Sequence, residues 1–356
     1  MGRLDEYKVG KAAGKGKFST VYRAKRLSDN KTIALKKINV GTFPRFLFGL
    51  LYPHHTIPSH TTRTKPATLD DSEHVLFYFS LSLSLFFSLP PPPNSDVMTQ
   101  ADLDACLREV KMLDQVCDHV NIISYIDSFV EDGSLYIVLE WAHAGDLKRQ
   151  IRKAQEKGAR FDEILIWKLF TQIANALRHM HSKRTMHRDL KPANIFLSSD
   201  GTIKVGDLGL GRFLSEQTLE AFTRVGTPLY MSPELLAPEK KGAGYGFSSD
   251  VYSLGCILYE LVKLRAPFKE KGMTFPVLCE RVLQGDYEPL PDVFSRELRD
   301  LVDRMLATSP DERPSLDEIV SVSNEMKGRL AGEKSSGEED RQSGSSSSSS
   351  SSSSRK

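Results

Sequence analysis

Apolar residues change their spacing several times along this chain, and each change marks an element. Ile33-Ala34-Leu35-Lys36 is a strand-like alternating run that ends in a lysine, and Leu135-Tyr136-Ile137-Val138-Leu139 is an unbroken apolar run of strand length. Between them, Cys106, Val110, Leu113 and Cys117 recur three or four apart, which predicts a helix over residues 99–117. Thr99 and Asp102 resemble a capping box at its start. Beyond Gly145 the period is helical as far as about Met326, most clearly over 164–181 and 250–263.

Two stretches fit neither period. Residues 335–356 are almost entirely serine, glycine and charge, and Ser345 to Ser354 is a homopolymer. Such a segment buries too little apolar surface to offset its ordering entropy, so the tail over 330–356 is expected to be disordered. The second stretch is an insert over 41–95. Between Phe77 and Pro93 it contains only Phe, Tyr, Ser, Leu and Pro, all of which pyrimidine-rich codons can encode. Asn94-Ser95 could encode a terminal CAG or AG, so the insert reads as a translated, unspliced intron. An inserted interaction loop is the alternative, and transcript sequencing separates the two. The run from Val75 to Leu89 is too short and too rich in serine to span a membrane, which takes about 20 apolar residues.

Composition narrows the class. The chain has 356 residues, 40% of them hydrophobic, enough for two core-forming units. A formal charge of +2 gives no case for a nucleic-acid partner. Cys106, Cys117, Cys256 and Cys279 lack metal-ligand spacing and read as reduced core thiols. Met1 to Glu6 has no apolar run, so secretion is not expected, and Glu6 stands where a myristoylation signal needs Ser or Thr. A cytoplasmic protein is expected.

Chemistry concentrates in His187-Arg188-Asp189-Leu190-Lys191-Pro192-Ala193-Asn194. Asp189 can accept a hydrogen bond from an attacking hydroxyl, Lys191 can neutralise a moving phosphoryl group, and Asn194 can hold Mg²⁺. Asp207, in Asp207-Leu208-Gly209, can take a second metal position. Upstream, Gly14 and Gly16 open a glycine-rich stretch that ends at Val21, although Ser19 fills its third glycine position. Glycine allows backbone to approach phosphates closely because no Cβ intervenes. In the protein-kinase pattern these motifs resemble, Lys36 is the lysine for the α- and β-phosphates, with Glu109, beside the apolar stripe of the 99–117 helix, as its ion-pair partner. More than seventy positions separate those two, against the usual connection of about 2–6 residues.

In this order and spacing the motifs resemble a eukaryotic protein kinase. The resemblance implies an α+β, two-lobed fold: a sheet-rich lobe over 7–139 with one key helix, a hinge at 140–142 and a helical lobe over 143–329, using ATP and Mg²⁺. By the same resemblance the backbones of Glu140 and Ala142 read the adenine edge, Leu139 is the gatekeeper, and Val21, Ala34 and Phe196 sandwich the base. Lys191 together with Gly226-Thr227-Pro228 is the serine/threonine pattern, with Thr227 bridging Asp189 and Lys191. Arg313 is expected to pair with Glu234, and Asp250 to anchor the catalytic loop.

Within that superfamily, Asp207-Leu208-Gly209-Leu210-Gly211-Arg212-Phe213 and Val225-Gly226-Thr227-Pro228-Leu229-Tyr230-Met231-Ser232-Pro233-Glu234 resemble the NIMA-related family, in particular its short members. So do Leu139-Glu140-Trp141-Ala142-His143-Ala144-Gly145-Asp146-Leu147 and Gly285-Asp286-Tyr287-Glu288-Pro289-Leu290-Pro291. This implies phosphorylation at Thr223 with Arg188 as the phosphate's partner, and an inactive state in which Tyr125 swings in beside Leu208. The alternative for Tyr125 is an ordinary core aromatic. Protein substrates carrying Ser or Thr, a longer relative as activator, and a role at the spindle or centrosome, with nuclear as well as cytoplasmic location, are likewise implied. A non-catalytic scaffold is the rival reading, and only the insert argues for it.

Overall fold

The computed structural model describes residues 2–15, 19–39, 110, 113–207, 229–236 and 246–346. Its first part is a five-stranded antiparallel sheet in the order β1-β2-β3-β5-β4. The strands are β1 Tyr7–Lys15, β2 Ser19–Arg26, β3 Thr32–Asn39, β4 Tyr125–Glu131 and β5 Ser134–Glu140. Side chains alternate between faces with a period of two. One face gathers Tyr7, Ala24, Ile33, Leu35, Phe129, Tyr136 and Val138, and the other gathers Ile38, Leu135, Ile137 and Val110. Lys36, between Ala34 and Ile38 in the alternation, therefore joins the second face. It lies in register with Val21 on β2 and Ile137 on β5.

Val110 is helical and packs beneath the sheet, but the expected helix over 99–117 does not reach its expected end. Leu113–Gln115 tightens into a 3₁₀ turn, closed by the Cys117 N–H on the Asp114 carbonyl at 3.2 Å. Cys117 lies past the helix, and the bulk of the 99–117 span, with Cys106, falls outside the described residues, as does the whole insert.

The second part is helical: α1 Leu147–Glu156, α2 Glu163–Ser182, α3 Pro233–Leu236, α4 Phe247–Lys263, α5 Phe275–Gln284, α6 Arg296–Met305 and α7 Leu316–Ser346. Asp146, Asp162 and Ser295 cap α1, α2 and α6 by accepting backbone N–H bonds, which satisfies donors the helices leave open. Helix α4 is buried on nearly every side from Ser249 to Val262, and its buried polar residues Ser249, Asp250, Ser253 and Glu260 each have a hydrogen-bond partner. At Gly255 a Cβ would come within 2.8 Å of the Met305 side chain, so α6 crosses α4 at a distance only glycine permits. Between these helices and the hinge lies a hairpin of β6 Ile195–Leu197 and β7 Ile203–Val205.

The backbone of α7 is helical to Ser346, past residue 330 where the tail is expected to begin, and 347–356 lie outside the described residues. Met326 and Leu330 are its last residues packed on the core. Beyond them each residue extends an existing helix at the cost of one residue's ordering for one hydrogen bond. Glu338, Glu339, Arg341 and Gln342 are good helix formers.

Candidate active site

The segment after α2 is held by its backbone. Asp250, buried on α4, accepts the N–H groups of His187 at 2.8 Å and Arg188 at 3.0 Å, and also contacts His181 Nε2 at 2.8 Å. The segment turns sharply there, with Arg188 at φ 67° in the left-handed region, costly for a residue with a Cβ. Three chemically active side chains then converge. Lys191 Nζ donates to both Asp189 carboxylate oxygens at 2.8 and 2.7 Å. Asn194 Nδ2 donates to the Asp189 carbonyl at 2.8 Å and carboxylate at 3.0 Å. Pro192 opens the 3₁₀ turn that carries Asn194, a position where its missing N–H costs nothing.

Strand β7 delivers the second carboxylate. Gly206 follows it, with its N–H on the Asn194 carbonyl at 2.9 Å and its own carbonyl 3.0 Å from His187 Nε2. Asp207 comes next at φ 59°, and its Oδ1 meets Lys36 Nζ at 2.5 Å. Burial works against ionisation of Asp207, yet Lys36, with His187 and Lys191 behind it, holds the carboxyl below its usual range. The amide of Asn194 is turned by Asp189 so that its oxygen is the atom left to ligate. Asp207 and Asn194 thus make an oxygen-only donor set, suited to a hard divalent cation that completes its shell with phosphate and water. Among the described residues no group of three or more His, Cys, Asp or Glu could hold a metal alone.

On the sheet side, Ala34 is buried opposite Leu139 on β5, and Val21 lies half-buried opposite Lys36. Phe196 on β6 supplies an aromatic ring from the helical lobe. Gly206 packs so close that a Cβ there would meet the Phe196 ring at 2.7 Å. Gly14 lies at the end of β1 in register with Val21. The chain passes from β5 at Glu140 through Trp141 and Ala142 to α1. Glu140 donates its N–H to the Ser124 carbonyl at 2.9 Å.

Glu109, Gly16, Leu208, Thr223 and Thr227 lie outside the described residues. Lys36 is described with Asp207 as its carboxylate partner. Tyr125 packs against the Ile38, Leu135 and Ile137 cluster with its hydroxyl 2.7 Å from Ser128 Oγ. Glu234 and Arg313 form a two-pronged pair with both bonds at 2.8 Å, and Ser249 Oγ donates to the same carboxylate at 2.7 Å. Burial opposes the charge on Glu234, but Arg313 and Ser249 together hold its pKa below the ordinary value.

Sequence reasoning missed three contacts. Tyr230, two residues past Pro228, donates its hydroxyl to the buried Glu260 of α4 at 2.5 Å, and burial raises the Glu260 pKa. The Glu140 carboxylate accepts from Lys204 on β7 at 2.9 Å and from Ser124 at 3.2 Å. Asn121 ties α2 to β7 through Gln172. Only Glu260 left a trace in the sequence, as the one charged residue in the otherwise apolar run Leu254–Val262.

The protein kinase domain model matches residues 94–323. That match begins where the insert ends, so β1, β2 and β3 are placed by the structure. The chain is 35% identical over 322 residues to the probable serine/threonine-protein kinase nek3 of Dictyostelium discoideum, covering 90% of this chain and 23% of that protein. It is 32% identical over 320 residues to human serine/threonine-protein kinase Nek5, covering 89% and 36%. Mouse serine/threonine-protein kinase Nek4 is 41% identical over 217 residues, covering 61% and 26%. The chain therefore spans about a quarter to a third of the length of these relatives. With a family model over most of its length and relatives that share the Nek name, this chain belongs to the protein kinases, in their NIMA-related serine/threonine branch.

Proposed function

We propose that the protein transfers the γ-phosphoryl group of ATP, as its Mg²⁺ complex, to Ser and Thr hydroxyls of protein substrates. One observation carries the reading: Asp189 is held by Lys191 and Asn194, and the Asn194 carbonyl accepts the N–H of Gly206, the residue before the Asp207 that pairs with Lys36. Asp189 would accept the hydrogen bond of the attacking hydroxyl and orient its oxygen toward the phosphorus. Lys191 would meet the charge on the transferring group, and Lys36 would hold the other phosphates. Asp207 and Asn194 would hold the metal, whose contribution is to neutralise phosphate charge. Little covalent work falls to the protein, so its contribution is alignment and a prepared field.

Regulation follows the same proposal. Phosphate on Thr223 would pair with Arg188 and order the segment before Tyr230. A longer relative is the proposed activator, and the family resemblance supports a role in mitotic or centrosomal signalling. The direct test is transfer of radiolabelled γ-phosphate to a Ser/Thr protein substrate, with Asp189→Asn as the control. Incorporation that persists undiminished in that variant removes Asp189 from the chemistry. Failure of the parent protein to transfer phosphate under any activating treatment favours the scaffold reading instead.

A further inference from the structure

Strand β7 has only three residues, yet it must aim Asp207. A two-stranded hairpin in isolation is marginal, and β6 covers only one edge of β7. The other edge meets the loop that precedes β4. Ile122 bridges Val205 in parallel, the Ile123 N–H donates to the Val205 carbonyl at 2.8 Å, and the Val205 N–H donates to the Asn121 carbonyl at 2.8 Å. The Asn121 side chain, 6% exposed, adds a second rail. Its Nδ2 donates to the Ile203 carbonyl and to Gln172 Oε1, both at 3.0 Å, and the same Gln172 oxygen accepts the Ile203 N–H at 3.0 Å. Gln172 is itself fixed to α2 by its bond to the Lys168 carbonyl at 3.0 Å. Three elements therefore converge on the strand that ends two residues before Asp207.

We propose that Asn121 and Gln172 are positioning residues for the metal-binding carboxylate of Asp207. The inference rests on the active-site reading above. Neither side chain is placed to touch ATP. They act by holding both backbone groups of Ile203 at the head of β7, while the backbone of 121–123 holds Val205 at its end, so that Gly206 and the left-handed Asp207 keep their place against Asn194 and Lys36. A carboxylate that ligates from a short strand end is only as well aimed as that strand. Loosening β7 therefore degrades the metal site before it degrades the adenine site, two of whose three walls, Ala34 and Val21, belong to the other sheet, while the third, Phe196, is on β6.

The test is calorimetric binding of a non-hydrolysable ATP analogue to the full chain, with and without Mg²⁺. In Asn121→Ala the gain in nucleotide affinity that Mg²⁺ provides should shrink about tenfold or more, the usual cost of losing an outer partner of a metal ligand. Affinity without metal should stay at the parent value. Asn121→Asp keeps the shape but turns an acceptor toward Gln172 Oε1 and the Ile203 carbonyl, so it should perform no better than alanine. Gln172→Met should reproduce the defect, and it decides the matter alone if the Asn121 variants do not fold. Variants that melt earlier but keep the full Mg²⁺-dependent gain would overturn the proposal, since a merely structural contact behaves that way. A parent protein with no metal-dependent gain would instead overturn the active-site reading beneath it.

Discussion

The Arg313–Glu234 pair and the Lys191–Asp189 pair each join a cation to a carboxylate, at 2.8 and 2.7 Å, in opposite surroundings. The first has side chains 1% and 11% exposed, the second 34% and 32%. Around Arg313 every neighbour adds constraint: the Ala307, Thr308 and Ser248 carbonyls accept from it, and the Tyr252 ring lies 4.9 Å beneath it. Around Lys191 the partner among the described residues is the Asp189 carboxylate alone, and about a third of each side chain stays open to solvent. One pair is a closed clamp that keeps the chain together. The other is an open pair, which the proposed reaction would require to exchange a partner. The same two functional groups thus serve architecture or chemistry according to how completely the protein surrounds them.

Breaking the open pair should give the largest effect. Asp189→Asn is expected to lower kcat by about 10³-fold, within the range for loss of a positioned proton acceptor, with little change in melting temperature. Phosphate-transfer kinetics alongside thermal unfolding check both halves, and a large fall in melting temperature would blur the contrast drawn above. Arg313→Ala should do the reverse, costing about 3–5 kcal/mol of stability because a buried carboxylate is left unpaired. Arg313→Lys should recover only part of this, since an ammonium cannot supply the two-pronged geometry. Denaturant titration measures both. The Glu234 pKa is lowered by folding, so the clamp's contribution is present above the ordinary value of 4.5 and disappears as pH falls through the lower folded value.

Smaller effects sharpen the comparison. Removing residues 41–95 shortens the connection that leaves β3 within the sheet-rich lobe and should stabilise the protein by about 1 kcal/mol through loop closure, while raising its soluble yield and leaving kcat nearly unchanged. A fall in kcat would show that the insert contributes to catalysis. His119 offers the mildest probe. Its pKa is lowered first by burial, then by the His179 ring 5.0 Å away and by Arg178 and Lys204, against Asp118. The unfolded chain therefore takes up a proton that the folded one resists, so stability should decline as pH drops below the ordinary value of 6.5. His119→Gln should flatten that decline in melting temperature measured across pH.

What the sequence made legible follows from locality. Strand β5 could be read because its apolar run is contiguous, and α2 and α4 because their period is carried by neighbouring turns. Asp189, Lys191 and Asn194 could be read because their chemistry is written within six positions. Contacts that close over long sequence separations left no such mark. Asn121 reaches Ile203 and Glu140 reaches Lys204, and in neither case does either partner's neighbourhood announce the other. Boundaries were the weakest part. The helix over 99–117 gives way at Leu113–Gln115 because a 3₁₀ turn competes with another α-turn there. Helix α7 ran past its expected end because backbone propagation needs no apolar face.

One helix carries an unusual share of these attachments. From α4, Asp250 holds the loop with Asp189, Glu260 and Ser253 hold Tyr230, and Ser249 holds Glu234. A rod that fastens three parts of the lobe to one axis leaves inheritance little room to vary it. Sequence drift among relatives should be slowest along its length, and a single altered side chain there should disturb acceptor alignment, the catalytic loop and the clamp together rather than one at a time.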